Sequence, residues 1–192
     1  ILPMLHIDAP EFGGVARVVK TVFDRSAAMI GLILISPVML AIAIAVRVTS
    51  PGAAVFRQER VGKGGSTFTM YKFRSMREDA EQVLEDVAEK NKHDGGPMFK
   101  ATEDPRVTRV GSFIRRFSLD ELPQLWNVLR GDMSLVGPRP LIPFMLKPYP
   151  ELRAARCVVR PGITGLWQIS KRDDNTNALS MAKEDLEYVA NR

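Results

Sequence analysis

Residues 26–46 read SAAMIGLILISPVMLAIAIAV, a run with no charged side chain, dominated by Ala, Ile, Leu, Met and Val. About 20 such residues suffice to cross a bilayer as a helix. A buried core helix is the bland alternative, and a signal peptide is disfavoured by the length of the run and by the segment that precedes it. Two details argue against a simple crossing. Ser36-Pro37 falls at the centre of the run, and proline there removes a backbone donor and clashes with the preceding turn, so a kink is expected. Both flanks are basic, with Arg17, Lys20 and Arg25 before the run and Arg47, Arg57, Arg60 and Lys63 after it. A spanning helix carries its basic excess on the cytoplasmic side only. Equal flanks fit a helix over about residues 22–48 that enters one leaflet and turns back at the proline, both ends facing the cytoplasm. The backbone groups freed in such a re-entrant helix must find partners, and Ser36 can supply one.

At 192 residues the whole chain is long enough for one ordinary domain. Lys and Arg exceed Asp and Glu, 27 to 22, giving a formal charge of +5. That balance suits anionic partners (nucleic acid, anionic lipid or phosphorylated substrates) without choosing among them. The single cysteine, Cys157, excludes an internal disulfide and fits a reducing, cytoplasm-facing site or a buried thiol. The chain begins without Met and stops inside an amphipathic run, Ala182 to Val189. It therefore reads as an interior piece of a larger protein. Residues 1–14, punctuated by Pro3, Pro10 and Gly13-Gly14, read as a linker remnant.

After the turn at Ser50-Pro51-Gly52, the runs Ala53–Val61 and Thr67–Phe73 are rich in aromatic and β-branched residues. Separated by Gly62-Lys63-Gly64-Gly65, they predict a β-hairpin. Ser75-Met76-Arg77-Glu78 resembles a capping box opening a helix whose apolar residues Ala80, Val83, Leu84, Val87 and Ala88 recur at three and four. From Val107 to Phe117 a second amphipathic helix is predicted, with Arg106, Arg109, Arg115 and Arg116 opposite large apolar residues, a pattern suited to a membrane interface or to an ordinary surface. A third runs roughly from Leu119 to Leu129 and ends at Arg130-Gly131, glycine being common just past a helix C-terminus. A strand is expected over Leu166 to Ile169.

The chemistry concentrates at Ser118-Leu119-Asp120-Glu121-Leu122-Pro123-Gln124. Ser118 with Glu121 fits a capping box, and Pro123 fits a first turn. Either boundary places Asp120 and Glu121 at a helix start, where unpaired N–H groups favour negative charge of side chain or phosphate. Acidic residues in a first turn are ordinary caps in most proteins, so the surroundings decide. Val136-Gly137-Pro138-Arg139-Pro140 fixes one arginine between two prolines, suited to bidentate capture of phosphate. Arg160-Pro161-Gly162-Ile163-Thr164-Gly165 is a second restricted loop, followed by Lys171-Arg172. Carboxylates for a hard cation with several positioned arginines make a diphosphate site in which Mg²⁺ offsets charge.

Lys72-Phe73-Arg74-Ser75-Met76, the stretch from Asp104-Pro105-Arg106 through Pro140, and Arg160 to Gly165 resemble the signatures of the bacterial sugar transferases, the monotopic polyprenyl-phosphate phosphoglycosyl transferases. The match spans roughly Gly14 to Arg192 in order, and Ser36-Pro37 resembles the family's break in the re-entrant helix. The chain departs from the family by ending before its usual closing apolar segment. The resemblance implies a catalytic domain over 15–192, C-terminally truncated, of an exopolysaccharide-type transferase at the cytoplasmic face of the bacterial plasma membrane. It implies that Asp120 attacks the β-phosphate of a UDP-sugar, expels UMP and holds the phosphosugar covalently. Polyprenyl (undecaprenyl) phosphate then takes it, the first membrane step of exopolysaccharide or glycoconjugate synthesis. Glu121 matches the second acidic residue, assigned to metal or proton handling, and Asp120 and Glu121 are the Mg²⁺ candidates. Lys72, Arg115, Arg139 and Arg172 are the phosphate or nucleotide candidates, while Arg74, Arg106 and Arg109 are left as structural or membrane-contacting.

The competing reading is an inactive, membrane-anchored scaffold whose arginines bind lipid. A hydrolase using paired carboxylates ranks lower, because neighbours on one turn do not easily flank a scissile bond. Nucleic acid is disfavoured as a partner, since basic residues alternate with acidic ones and no reading module occurs. Membrane lipids are implied partners; homo-oligomerisation and the identity of the sugar stay open. The expected fold is a mostly helical α+β domain with a kinked membrane helix, a small β-hairpin and amphipathic interfacial helices.

Overall fold

A computed structural model describes residues 14–80, 104–170 and 185–189. Its first element, α1 (Gly14–Thr49), is a single helix of 36 residues, longer at its N-terminal end than the apolar run alone predicts. At 1.5 Å per residue it is roughly 54 Å long. The helix runs through Pro37 without interruption. Proline leaves the carbonyl four residues earlier, that of Ile33, without its N–H partner. The Ser36 hydroxyl donates to that carbonyl at 2.8 Å, the partner expected of it. One face of α1 is buried through Asp24, Ala28, Ile42 and Val46, whereas Ile30, Ile33, Leu34, Val38, Leu40 and Ile44 stay exposed. An apolar stripe that stays exposed among the described residues is what a helix in contact with lipid presents.

The expected hairpin forms from β1 (Val55–Val61) and β2 (Thr67–Phe73), antiparallel, with Val55 opposite Phe73 and Val61 opposite Thr67. Its loop closes through Gly64 and Gly65, both at positive φ. Next come α2 (Arg109–Arg116), α3 (Gln124–Arg130), β3 (Ser134–Val136), α4 (Pro143–Leu146), α5 (Pro150–Arg156), β4 (Gly162–Thr164) and α6 (Leu166–Ser170). Residues 185–189 are helical. The core lies between α1 and the hairpin. Ala28, Met70, Val128 and Met133 form one buried cluster, and Ile42, Val46, Phe73 and Ile114 form another. Asn127, fully buried on α3, stitches that helix to the β2 edge: its amide donates to Thr69 O at 2.7 Å and accepts from Tyr71 N at 3.1 Å. A side-chain amide thereby supplies what a third strand would otherwise provide.

Three sequence expectations are corrected. Ser75-Met76 do not open a helix; Met76 bridges Val107 in extended conformation, and the Ser75 carbonyl accepts from Thr108 N at 3.1 Å. The apolar positions of that helix from Val83 onward lie outside the described residues. The third helix is split: Leu119–Glu121 form a 3₁₀ turn, and the α-helix begins only at Gln124, after Pro123. Its end is as expected, with Gly131 at φ 91°. Residues 166–169 are helical, not extended. The strand in that region is β4, just before them, which pairs in parallel with β3, Ser134 opposite Gly162 and Val136 opposite Thr164. Leu166-Trp167-Gln168-Ile169 has the apolar content of a strand, but the pairing edge is taken by the residues ahead of it.

Candidate active site

The site grows from the short turn between α2 and α3. Thr108 caps α2 by accepting from Gly111 N at 2.9 Å, and the chain leaves the helix through Ser118 at φ 55°. Ser118 is the one non-glycine residue at positive φ among those described. Such a conformation costs on the order of 1 kcal/mol and persists where the surroundings over-determine it, commonly at functional sites. It also rules out the capping box expected there, since Ser118 makes no side-chain cap and is not extended. The tight turn that follows separates neighbouring side chains by about 120°. Asp120 and Glu121 therefore address different neighbours.

Glu121 faces cations. Its Oε1 accepts from Lys72 Nζ at 3.1 Å and from Arg139 Nη2 at 3.5 Å. Lys72 comes from β2, and Arg139 from the Pro138-Arg139-Pro140 segment after β3. Asp120 is half-buried beside the same lysine, with the Arg115 charge also acting on it. Burial raises the Asp120 pKa above the ordinary carboxylate value, Lys72 and Arg115 pull it down, and Glu121 pushes it up. Burial lowers the Lys72 pKa, chiefly against the pull of Glu121. Arg115 is itself fixed by its Nε donating to Ser75 Oγ at 2.7 Å. The extended segment around Ser75 is thus what aims this arginine.

Arg139 is set by backbone crossing. Gly162 N donates to Pro138 O at 2.9 Å and Gly137 N to Thr164 O at 2.9 Å, locking the two glycine-proline loops together across the β3–β4 ladder. The approach is so close that a Cβ on Gly137 would stand 2.6 Å from Arg160 O, and one on Gly162 would overlap the Gly137 backbone. Only glycine fits here. Two further guanidinium groups hold the same segment: Arg156 Nη2 donates to Arg139 O at 2.9 Å, and Arg60 Nη1 to Pro140 O at 3.2 Å. Arg156 is in turn paired with Asp185, both buried.

Of the residues singled out from sequence, Asp120, Glu121, Lys72, Arg115 and Arg139 come together here. Arg172 lies outside the described residues, and Ser36 and Pro37 sit mid-way along α1. Arg74 and Arg106, left as structural or membrane-contacting, both bond within the protein: Arg74 Nη2 donates to Ser50 O at 2.7 Å, and Arg106 grips Asp104 with two bonds of 2.8 and 2.7 Å. Sequence reasoning missed Arg60, which it counted as a membrane flank. With Lys72, Glu121, Gln124 and Arg139 it lines a small cavity open to solvent. The signal was present: in the hairpin register Arg60 stands opposite Phe68 and Phe56 opposite Lys72. Strand residues alternate faces, so Arg60 and Lys72 share one. It also missed Asp24, a buried carboxylate in α1 that accepts from Lys20 Nζ at 3.1 Å and from Ser134 Oγ at 2.6 Å, tying the helix to β3.

Among the described residues no group of three or more His, Cys, Asp or Glu forms a metal cage. Asp120 and Glu121 are a pair. That donor set fits Mg²⁺, which is commonly held by one or two carboxylates together with substrate phosphates.

Comparisons with known proteins agree on one group. A family model described as "Bacterial sugar transferase" matches residues 15–192. The chain is 45% identical over 172 residues to a protein of Streptococcus agalactiae named galactosyl transferase CpsE, covering 90% of this chain and 38% of that protein. It is 42% identical over 190 residues to the exopolysaccharide production protein ExoY of Rhizobium meliloti, covering 95% of this chain and 83% of that one. It is 41% identical over 196 residues to the UDP-glucose:undecaprenyl-phosphate glucose-1-phosphate transferase of Escherichia coli, covering 98% and 39%. The chain thus spans less than half of two of these relatives and most of the third.

Proposed function

This chain belongs to the bacterial sugar transferase family, and from that premise we propose that it moves a sugar-1-phosphate from a UDP-sugar to polyprenyl phosphate through a covalent intermediate on Asp120. The observation that carries the reading is the gathering of two carboxylates with a surplus of fixed cations around one turn of the chain. Asp120 and Glu121 stand among Lys72, Arg139, Arg115 and Arg60, so the site holds more positive than negative charge until an anion enters. A diphosphate supplies that anion, and the names of several relatives specify undecaprenyl phosphate as acceptor.

In the first step the Asp120 carboxylate oxygen attacks the β-phosphorus of the UDP-sugar. A new P–O bond forms, the bridging P–O bond breaks, and its electron pair leaves with UMP. In the second step an oxygen of polyprenyl phosphate attacks the same phosphorus. The P–O bond to Asp120 breaks, its electron pair returns to the carboxylate, and polyprenyl-diphosphate sugar is released. Lys72 and Arg139 offset charge developing on the transferring phosphoryl group, while their grip on Glu121 keeps that carboxylate from competing as nucleophile. When bound by Asp120 and Glu121 with the substrate phosphates, Mg²⁺ supplies further charge neutralisation.

The same reading places the reaction at the cytoplasmic face of the membrane, with α1 re-entrant. Its support is that both halves of the apolar run pack on one body: Ala28 on Met70, Val128 and Met133, and Ile42 and Val46 on Phe73 and Ile114. Two ends of a straight crossing lie on opposite sides of a core of about 30 Å and do not reach one small domain. Exposed Phe113 and Phe117, 59% and 57% accessible, with Arg109 and Arg116 on the same short helix suit the headgroup region.

The test is UMP release by the full-length protein from several UDP-sugars before lipid is added. One equivalent of UMP and an Asp120 phosphosugar adduct visible by mass spectrometry are expected. An active preparation that releases UMP only when acceptor lipid is present would mean direct displacement.

A further inference from the structure

Of the two arginines that line the cavity with Lys72 and Glu121, Arg139 is paired with Glu121 and Arg60 has no carboxylate. Arg106 is paired with Asp104 and Arg156 with Asp185, whereas the two hydrogen bonds that Arg60 makes go to neutral acceptors, the Pro140 carbonyl and the Gln58 side chain. Its Nε is buried without a partner. Arg74 and Arg156 also carry a buried Nε without a partner, but only Arg60 lines the cavity of Lys72, Glu121 and Arg139. Burial and the neighbouring Arg139 push its pKa down to about 10, against the pull of Glu121. A guanidinium still stays charged at neutral pH. Three cations, Arg60, Lys72 and Arg139, therefore surround one paired carboxylate, Glu121, and a half-buried like-charged set of this kind is unfavourable until an anion occupies it.

We propose that Arg60 is the third cation of the diphosphate site: a positioning residue that acts by its charge and by its hold on the Pro140 carbonyl, which sets the Arg139 guanidinium toward the phosphates. The inference rests on the diphosphate reading of the site. It gives the missed residue a task beside those of Lys72 and Arg139, whose charge is partly offset by Glu121. Arg60 then compensates the second negative charge of the diphosphate without bonding the carboxylate that the reaction needs nearby. The position on the strand enforces this. Arg57, three residues earlier, lies on the opposite face of β1, exposed and stacked over Tyr71 at 6.0 Å, and takes no part.

The test uses the full-length membrane protein with inorganic pyrophosphate as a competitive inhibitor of UMP release. Arg60→Gln removes the charge and keeps a donor for the Pro140 carbonyl, Arg60→Lys keeps the charge, and Arg57→Gln removes the same charge from the other face. Arg60→Gln is expected to raise both the pyrophosphate inhibition constant and the KM for UDP-sugar by about tenfold or more. Arg60→Lys should stay within about threefold, and Arg57→Gln should match the parent, with unfolding temperatures unchanged. Pyrophosphate inhibition of Arg60→Gln equal to that of Arg57→Gln would overturn the assignment. So would an Arg60→Lys variant as impaired as Arg60→Gln, because the side-chain shape alone would then matter. A parent enzyme that turns over UDP-sugar but ignores pyrophosphate would instead overturn the diphosphate site itself.

Discussion

The Asp120 carboxylate is held where burial works against its charge and Lys72 and Arg115 work for it. Burial raises the folded-state pKa above that of the unfolded chain. The folded state therefore gains most from this group below the unfolded pKa, and that gain is lost as pH rises through the folded value. At neutral pH an ionised Asp120 is a net cost to folding, as expected of a residue kept for chemistry. Asp120→Asn should thus raise the unfolding temperature, by about 1–3 °C, while abolishing the UMP burst by a factor on the order of 10³ or more. An Asn variant that is less stable than the parent would show the carboxylate to be a structural partner. The same shift sets the pH profile: the acid limb of kcat/KM should lie above the usual aspartate range of about 4, activity falling as pH drops through it. A limb at or below that range would contradict a buried nucleophile.

The two restricted loops work as one element because their backbones touch. Pro138-Arg139-Pro140 and Arg160-Pro161-Gly162 are some 20 residues apart in the chain, and each reads locally as a conformationally restricted loop. The parallel β3–β4 ladder turns them into a mount for Arg139. Gly162→Ala puts a methyl group into the Gly137 backbone, so the ladder must shift at a cost of about 3 kcal/mol. Thermal unfolding should show a clear drop, and a partially folded preparation should lose phosphate affinity before it loses membrane association. An alanine variant as stable as the parent would mean that the loops do not meet as described. Elsewhere the elements follow local rules: hydrophobic alternation and a glycine loop make the hairpin, Thr108 starts α2, and Gly131 ends α3.

At the scale of the whole molecule, α1 has one face packed on the rest of the domain and one face left apolar and exposed. Its buried residues lock it to the domain through the Lys20–Asp24–Ser134 contacts and through Ile42 and Val46, while the opposite face is left apolar and uncovered. Membrane association follows from that exposed stripe. Cysteines placed at the exposed Val15 and Val48, 79% and 81% accessible, in a Cys157→Ala background should both react with an impermeant maleimide in inverted vesicles and both be protected in intact cells. Labelling from opposite faces would establish a spanning helix and remove the re-entrant reading.

The sequence by itself determined the apolar helix with its Ser36-Pro37 pair, the hairpin, the helix over α2, the glycine end of α3, and the acidic pair with most of its cationic company. Those features are local: periodicity, caps and turn glycines act over a few residues, and the motifs carry their own rigidity. Only the tertiary structure decided that Ser118 is left-handed, that Ser75 stays extended to fix Arg115, that residues 162–164 rather than 166–169 take the strand, and that Arg60 belongs to the site. Each of these depends on a partner distant in the chain. Steric exclusion between backbones, the pairing edge already occupied and the face a strand presents to the interior are properties of the packed chain, and no short stretch of sequence contains them.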